Sequence, residues 1–212
     1  MSKLMNPREW RLYVVTDEKL SRGRSHVEVA EAAIRGGADV IQLRDKTAES
    51  GELYRIALEL RKLTLDAKVP LIINDRLDIA LAVDADGLHL GQDDMPASAA
   101  RRLLGPGKIL GVSTETPQEA LVAEKDGADY IGVGPIFEAR GTKANAGAPK
   151  GTDMIAPILE KCPLPIVAIG GIKRGNARSV LDAGATSVAI VSDIVAADDI
   201  EQAASAIKTL LA

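Results

Sequence analysis

Among its 212 residues the chain has one cysteine, one tryptophan, one phenylalanine and three tyrosines, so it has few of the residues that staple or thicken a small core. A single thiol, Cys162, excludes an internal disulfide and leaves no thiol cluster for structural zinc. It reads as a small, buried or half-buried residue at a helix end, with a nucleophile as the weaker alternative. With so few aromatics the core has to be built from Val, Ile, Leu and Ala, which suits parallel strands covered by helices. Basic residues are also not in excess: 26 Lys and Arg face 30 Asp and Glu, a net charge of −4. Sequence-independent nucleic-acid binding by counterion displacement is therefore disfavoured. No apolar run reaches the ~18 residues that cross a bilayer. The first ten positions carry Lys3, Asn6, Pro7, Arg8 and Glu9 in place of an apolar signal segment. The expectation is a soluble, cytoplasmic protein with neither nucleic acid nor membrane as partner; self-association into a homo-oligomer is left open.

What is present is a regular alternation. Short β-favouring runs fall at 12–15, 40–43, 71–73, 87–90, 109–112, 130–133, 166–169 and 187–191. Helix-like segments follow them at 27–35, 52–66, 77–82, 97–104, from Thr116-Pro117 onward, 153–160, 176–182 and 200–211. Thr116 followed by Pro117 is a cap with proline at the first helical position. Gly37-Ala38-Asp39, Gly127-Ala128-Asp129 and Gly184-Ala185-Thr186 each fall between a helix and the next strand, where glycine can take the left-handed helix-ending conformation. Eight βα units without a linker or composition break predict one α/β domain over residues 1–212, a (β/α)8 TIM barrel. The rival is a doubly wound open sheet. Against it, Gly132-x-Gly134 is followed by Phe137, so the dinucleotide fingerprint fails, and no phosphate-binding GxxxxGK[ST] loop occurs.

In a barrel the site lies at the C-terminal ends of the strands. The second strand ends in Gln42-Leu43-Arg44-Asp45-Lys46. If the extended backbone persists, Gln42, Arg44 and Lys46 share a face and form a grip for a phosphorylated ligand; a solvated strand end is the alternative. Asn74-Asp75 follows the third strand and Gln92-Asp93-Asp94 the fourth. Asp75 and Asp94 can share a hard cation such as Mg2+ through oxygen ligands, or Asp75 can cap the next helix. Thr142-Lys143, in a Gly- and Ala-rich loop, either closes over an anion or is plain surface. Gly170-Gly171 and Val191-Ser192 stand where barrels bind phosphate through backbone N–H groups, or are two tight turns. His26 starts a helix and reads as solvated; His89, between Leu88 and Leu90, reads as a barrel-interior packing residue. The inventory handles anions and metal but holds few nucleophiles or tuned bases. It suits a substrate that carries its own leaving group, such as a diphosphate, in a site that stabilises charge.

The set Gln42-Leu43-Arg44-x-Lys46, Asn74-Asp75, Gly91-Gln92-x-Asp94, Gly111-Val112-Ser113, Gly134-Pro135-Ile136-Phe137, Thr142-Lys143, Ile169-Gly170-Gly171-Ile172 and Val191-Ser192 resembles the thiamin phosphate synthase family, in order from the second strand to the eighth. The resemblance implies a barrel transferase that joins 4-amino-5-hydroxymethyl-2-methylpyrimidine diphosphate to a thiazole phosphate, releasing diphosphate through a pyrimidine carbocation. By that resemblance Gln42, Arg44, Lys46, Asn74, Ser113 and Lys143 bind the pyrimidine diphosphate. Asp75 and Asp94 hold Mg2+, and Thr142, Gly171, Val191 and Ser192 serve the thiazole phosphate. One departure stands out. After Phe137 the family usually shows Pro-Thr-x-Thr-Lys, whereas here Glu138-Ala139-Arg140-Gly141-Thr142-Lys143 is one residue longer and lacks the first threonine; Arg140 is the candidate replacement.

Two other readings compete. A related barrel isomerase, the thiazole tautomerase, resembles this chain but uses a histidine shortly after the fifth strand, where Thr114-Glu115-Thr116 stands here. A non-catalytic sensor of phosphate ligands on the same scaffold would have no need of a complete metal-diphosphate set.

Overall fold

A computed structural model describes residues 6–138 and 148–212. Eight parallel strands close into a barrel in chain order, β1 (Leu12–Val15), β2 (Val40–Leu43), β3 (Leu71–Asn74), β4 (Gly87–Leu90), β5 (Ile109–Thr114), β6 (Tyr130–Val133), β7 (Ile166–Ile169) and β8 (Ser187–Ile190). Leu12, Tyr13 and Val14 pair with Val188, Ala189 and Ile190, so the last strand seals against the first. The expected barrel is the observed one, and the open-sheet alternative falls. Around it lie α1 (His26–Arg35), α2 (Ser50–Ala67), α3 (Leu77–Ala82), α4 (Ala97–Leu104), α5 (Pro117–Lys125), α6 (Ile155–Leu159), α7 (Ala177–Asp182), α8 (Ser192–Val195) and α9 (Ile200–Leu211). The four-residue α8 directly after β8 has no counterpart in the sequence expectation.

Because side chains alternate along a strand, each strand supplies two cores. Outward residues such as Leu12, Ile41, Leu71, Leu110, Ile131 and Val188 pack with helix residues such as Val29, Leu60 and Ile207 in the layer between sheet and helices. Inward residues, Tyr13, Val40, Ile72, Ile109, Tyr130 and Val167 among them, fill the barrel over Trp10. The few aromatics are concentrated here. Trp10 meets Tyr13 and Tyr130 edge-on, with ring centroids 5.9 and 5.5 Å apart, so bulky rings fill the barrel interior beneath the mouth.

A joint repeated four times sets the register at that closed end. Gly37, Gly127 and Gly184 hold φ of 92°, 90° and 106°, as the three-residue signature predicted, and the helix then turns straight into the next strand. The structure adds a fourth copy at Asp84-Ala85-Asp86, with Asp84 at φ 54° in the glycine's place. The third residue of each joint reaches back one strand. Asp39, Asp86 and Asp129 accept the N–H of Leu12, Leu71 and Leu110 at 2.8, 2.9 and 2.8 Å, and Thr186 accepts that of Ile166 at 3.3 Å. Lys208, Arg61 and Arg101 neutralise the three carboxylates.

Asp129 illustrates what the joint contributes, because its Oδ2 takes both Leu110 N–H and the Arg101 guanidinium, the latter at 2.5 Å. Asp129→Ala strands both donors and is expected to cost about 2–3 kcal/mol, lowering the calorimetric unfolding midpoint by roughly 4–10 °C. The reference is Asp198→Ala, whose side chain is 97% exposed. An equal shift in the two variants would contradict a structural role for the joint.

Candidate active site

β2 stops at Leu43 and the chain bends from residue 46; the side chains of Gln42, Arg44 and Lys46, expected on one face, go to three different partners. Gln42 lies inside the barrel, 5% exposed, and its amide nitrogen donates to the Tyr13 hydroxyl at 2.8 Å. Arg44 reaches toward β1, where its guanidinium meets the Asp17 carboxylate at 2.7 Å. Lys46 reaches the other way along the rim, and its ammonium sits 2.8 Å from the Asp75 carboxylate at the end of β3. The two cations thus diverge along the rim, each matched by a carboxylate of a neighbouring strand end.

Asp75 holds φ 61° and donates its N–H to His89 O at 2.9 Å. The residue at the cap of α3 is Arg76, without a side-chain cap bond, so the capping alternative for Asp75 is not what forms. Burial pushes the Asp75 carboxyl up; Lys46 opposes that push, and the adjacent Asp94 carboxylate adds to it. Asp94 is itself anchored, accepting Gly91 N–H at 2.7 Å. The structure therefore does bring together the two carboxylates picked out from separate strand ends.

Below this rim a chain of hydrogen bonds crosses the barrel interior. Tyr13 and Tyr130 share a bond between their hydroxyls at 2.9 Å. His89 Nδ1 lies 3.0 Å from the Tyr130 hydroxyl and its Nε2 2.9 Å from Ser113 Oγ. Burial pushes both phenols far up, so they stay neutral and act only as donors and acceptors. His89 is the interior packing residue the sequence predicted. The glycines of strands β5 and β6 make room for it: a Cβ at Gly111 would come 2.1 Å from the Tyr130 ring, and one at Gly132 2.9 Å from His89. Gln42 and Ser113, named separately from the sequence, are the two ends of this chain.

Across the mouth, Gly171 holds φ 62°, and a side chain there would strike the backbone of Phe137 and Glu138 at 2.8 and 2.5 Å. Phe137 N–H donates to Gly170 O at 2.9 Å, so the loops after β6 and β7 are zipped together. Arg174 N–H donates to the Asp193 carboxylate at 2.8 Å, tying the β7 loop to α8, which begins at Ser192 with Val191 as its cap. Gly171, Val191 and Ser192 thus belong to one connected rim segment. Asn74 closes β3 and Ser113 sits in β5. Thr142 and Lys143, with Arg140, lie outside the described residues.

A family profile described as Thiamine monophosphate synthase matches residues 12–194. The chain belongs to the thiamine monophosphate synthase family. A Thiamine-phosphate synthase of Chloroflexus aurantiacus is 58% identical over 96% of this chain and 93% of its own. One of Shouchella clausii is 52% identical over 93% and 94%. The solved structure of a thiamine phosphate pyrophosphorylase from Pyrococcus furiosus superposes with a TM-score of 0.88 at 39% identity, covering 98% and 97%. A 3-hexulose-6-phosphate synthase, 18% identical at a TM-score of 0.69, shares the fold alone. The expected transferase of the thiamine monophosphate synthase family holds, and the tautomerase and sensor alternatives gain nothing. Among the described residues no helix is long and apolar enough to cross a membrane.

Several residues of this family member escaped the sequence reading. His26 is not solvated but 4% exposed, because its ring nitrogens lie against Thr16 Oγ1 and Asp45 Oδ2 at 2.7 and 3.3 Å. Its position inside the Ser25–Glu28 capping box marks the helix start but not where the ring points. Tyr13 and Tyr130 had a legible signal, as polar-tipped aromatics in strands otherwise aliphatic. Asp17, the partner of Arg44, had none beyond its place at a strand end.

Asp45, between the two cations, accepts Thr47 N–H at 2.8 Å, the Thr47 hydroxyl at 3.0 Å and Ala48 N–H at 2.9 Å. Burial alone would raise its carboxyl, but these donors and His26 together bring it down to about 2. A carboxyl lower when folded than when unfolded stabilises the fold above about pH 4 and gives that contribution, about 2 kcal/mol, back as pH falls toward 2. Urea unfolding at pH 6 and pH 3 should show the wild type losing about 1 kcal/mol more than Asp45→Asn over that interval. Equal losses would contradict the assignment.

Proposed function

We propose that the protein condenses 4-amino-5-hydroxymethyl-2-methylpyrimidine diphosphate with a thiazole phosphate to give thiamin phosphate and diphosphate. The observation that carries this reading is the contact between Lys46 and Asp75, with Asp94 beside them. It joins a cation suited to a diphosphate to a carboxylate pair suited to a metal, as a bound metal-diphosphate complex requires. Family membership supplies the substrate class.

Arg44, Lys46 and Lys143 grip the diphosphate, while Gln42, Asn74 and Ser113 hold the pyrimidine end. Thr142, Gly171, Val191 and Ser192 receive the thiazole phosphate. The bond between the pyrimidine methylene carbon and the diphosphate oxygen breaks, and both electrons leave with diphosphate. The thiazole nitrogen lone pair then closes the new C–N bond on the pyrimidine cation. No side-chain nucleophile is needed, in keeping with an inventory of charge-stabilising groups. Tyr13, Tyr130 and His89 beneath the mouth give the pyrimidine a hydrogen-bonding floor.

Asp75 and Asp94 fit Mg2+. They offer hard oxygen donors side by side; burial raises the Asp75 carboxyl, and the Asp94 carboxylate adds a smaller push that a divalent cation would relieve. Among the described residues no group of three or more His, Cys, Asp or Glu forms a self-sufficient metal cage. Water and substrate phosphate would then complete the coordination, the usual style for Mg2+. When bound, the ion would supply counter-charge to the departing diphosphate.

Diphosphate release from purified protein should require both organic substrates and Mg2+, with thiamin phosphate as product; binding without turnover would contradict the reading. Asp94→Ala should lower Mg2+-dependent turnover by about 100-fold or more while leaving the circular dichroism spectrum and unfolding midpoint close to wild type. Undiminished Mg2+-dependent rates in that variant would refute the metal assignment.

A further inference from the structure

We propose that His26 is a positioning residue for the diphosphate grip, holding the segment that carries Arg44 and Lys46 through its buried contact with Asp45. The inference rests on the assignment of Arg44 and Lys46 to the diphosphate.

Three consecutive charged residues leave β2, and each is pinned by a different element. Arg44 is held by Asp17 after β1, Lys46 by Asp75 after β3, and Asp45 by His26 at the first turn of α1. The first two pairs lie at the mouth, where a ligand competes for the cations. The third is out of reach of a ligand, since the His26 and Asp45 side chains are each 4% exposed. An ionised carboxylate only accepts hydrogen bonds, so His26 Nε2 carries a proton toward Asp45 Oδ2. The other ring nitrogen is 2.7 Å from Thr16 Oγ1. Thr16 is fully buried and is fixed to β2 through its N–H on Gln42 O at 2.9 Å. Its hydroxyl also receives Arg44 N–H at 3.4 Å. The remaining oxygen of Asp45 organises the turn at Thr47 and Ala48. The histidine ring is therefore a strut from the end of β1 to the middle of the Arg44-Asp45-Lys46 run. Without it, one carboxylate oxygen stays buried and loses that donor, and the segment has to shift to rehydrate it. Both cations move when it shifts.

The test is steady-state kinetics with the two substrates varied separately. His26→Ala should raise KM for the pyrimidine diphosphate by about 10-fold or more, leave KM for the thiazole phosphate within about 2-fold, and be partly rescued by His26→Gln, whose amide can still donate to Asp45. Asp45→Ala should show the same selective KM change, and the double variant should add little to either single one. A wild-type KM for the diphosphate in His26→Ala would overturn the inference. So would a loss confined to kcat, the signature of a smaller folded fraction. Arg44→Ala is the companion variant. If it raises the diphosphate KM while His26→Ala does not, only the positioning role falls; if it also leaves that KM unchanged, the assignment of the grip falls and the inference with it.

Discussion

Closure of β8 on β1 is the constraint on which the rest of the structure depends. It turns eight short parallel strands into a ring, so residues far apart in sequence, such as Asp17, Asp75, Gly171 and Ser192, face a common mouth. An open sheet with the same strands would spread these ends along an edge. Closure in turn requires a filled interior, and a chain poor in aromatics places Trp10, Tyr13 and Tyr130 there. The four joints at the opposite end bond each odd-numbered strand to the start of the next. Stability is thus concentrated at the closed end, and the mouth is left free for chemistry.

The mouth is an arrangement of opposed charges. Arg44 and Lys46 stand against Asp17 and Asp75, and the Asp75 carboxyl is raised by burial, with the adjacent Asp94 carboxylate adding to it. Such a set is poised to exchange partners. In the proposed reaction a diphosphate would take the cations and a divalent ion the carboxylates. Just beneath, hydrogen bonds link Gln42, Tyr13, Tyr130, His89 and Ser113 in one chain.

Most strand positions were legible to within a residue, because strands buried on both faces appear as unbroken aliphatic runs. β5 runs on through Ser113 and Thr114, since its polar end is a continuation of the ladder and not a loop. The four residues of α8 were not legible, being too few to show a period. Of the site, the carboxylate pair and the cations were readable from their place at strand ends. The divergence of Arg44 and Lys46 was not, because it depends on carboxylates contributed by β1 and β3. Nor was the burial of His26, which is decided by Thr16 and Asp45, ten and nineteen residues away. The motifs pointed to the family that the profile and the relatives show, but a motif does not say how its side chains are held.

The most direct test of the account is a crystal structure of the protein with Mg2+ and a non-hydrolysable analogue of the pyrimidine diphosphate. The account predicts one ion bound by Asp75 and Asp94, diphosphate oxygens on Arg44 and Lys46, and the Lys46–Asp75 contact replaced by contacts to ligand. A diphosphate bound elsewhere on the barrel, or an ion that does not touch both carboxylates, would contradict it.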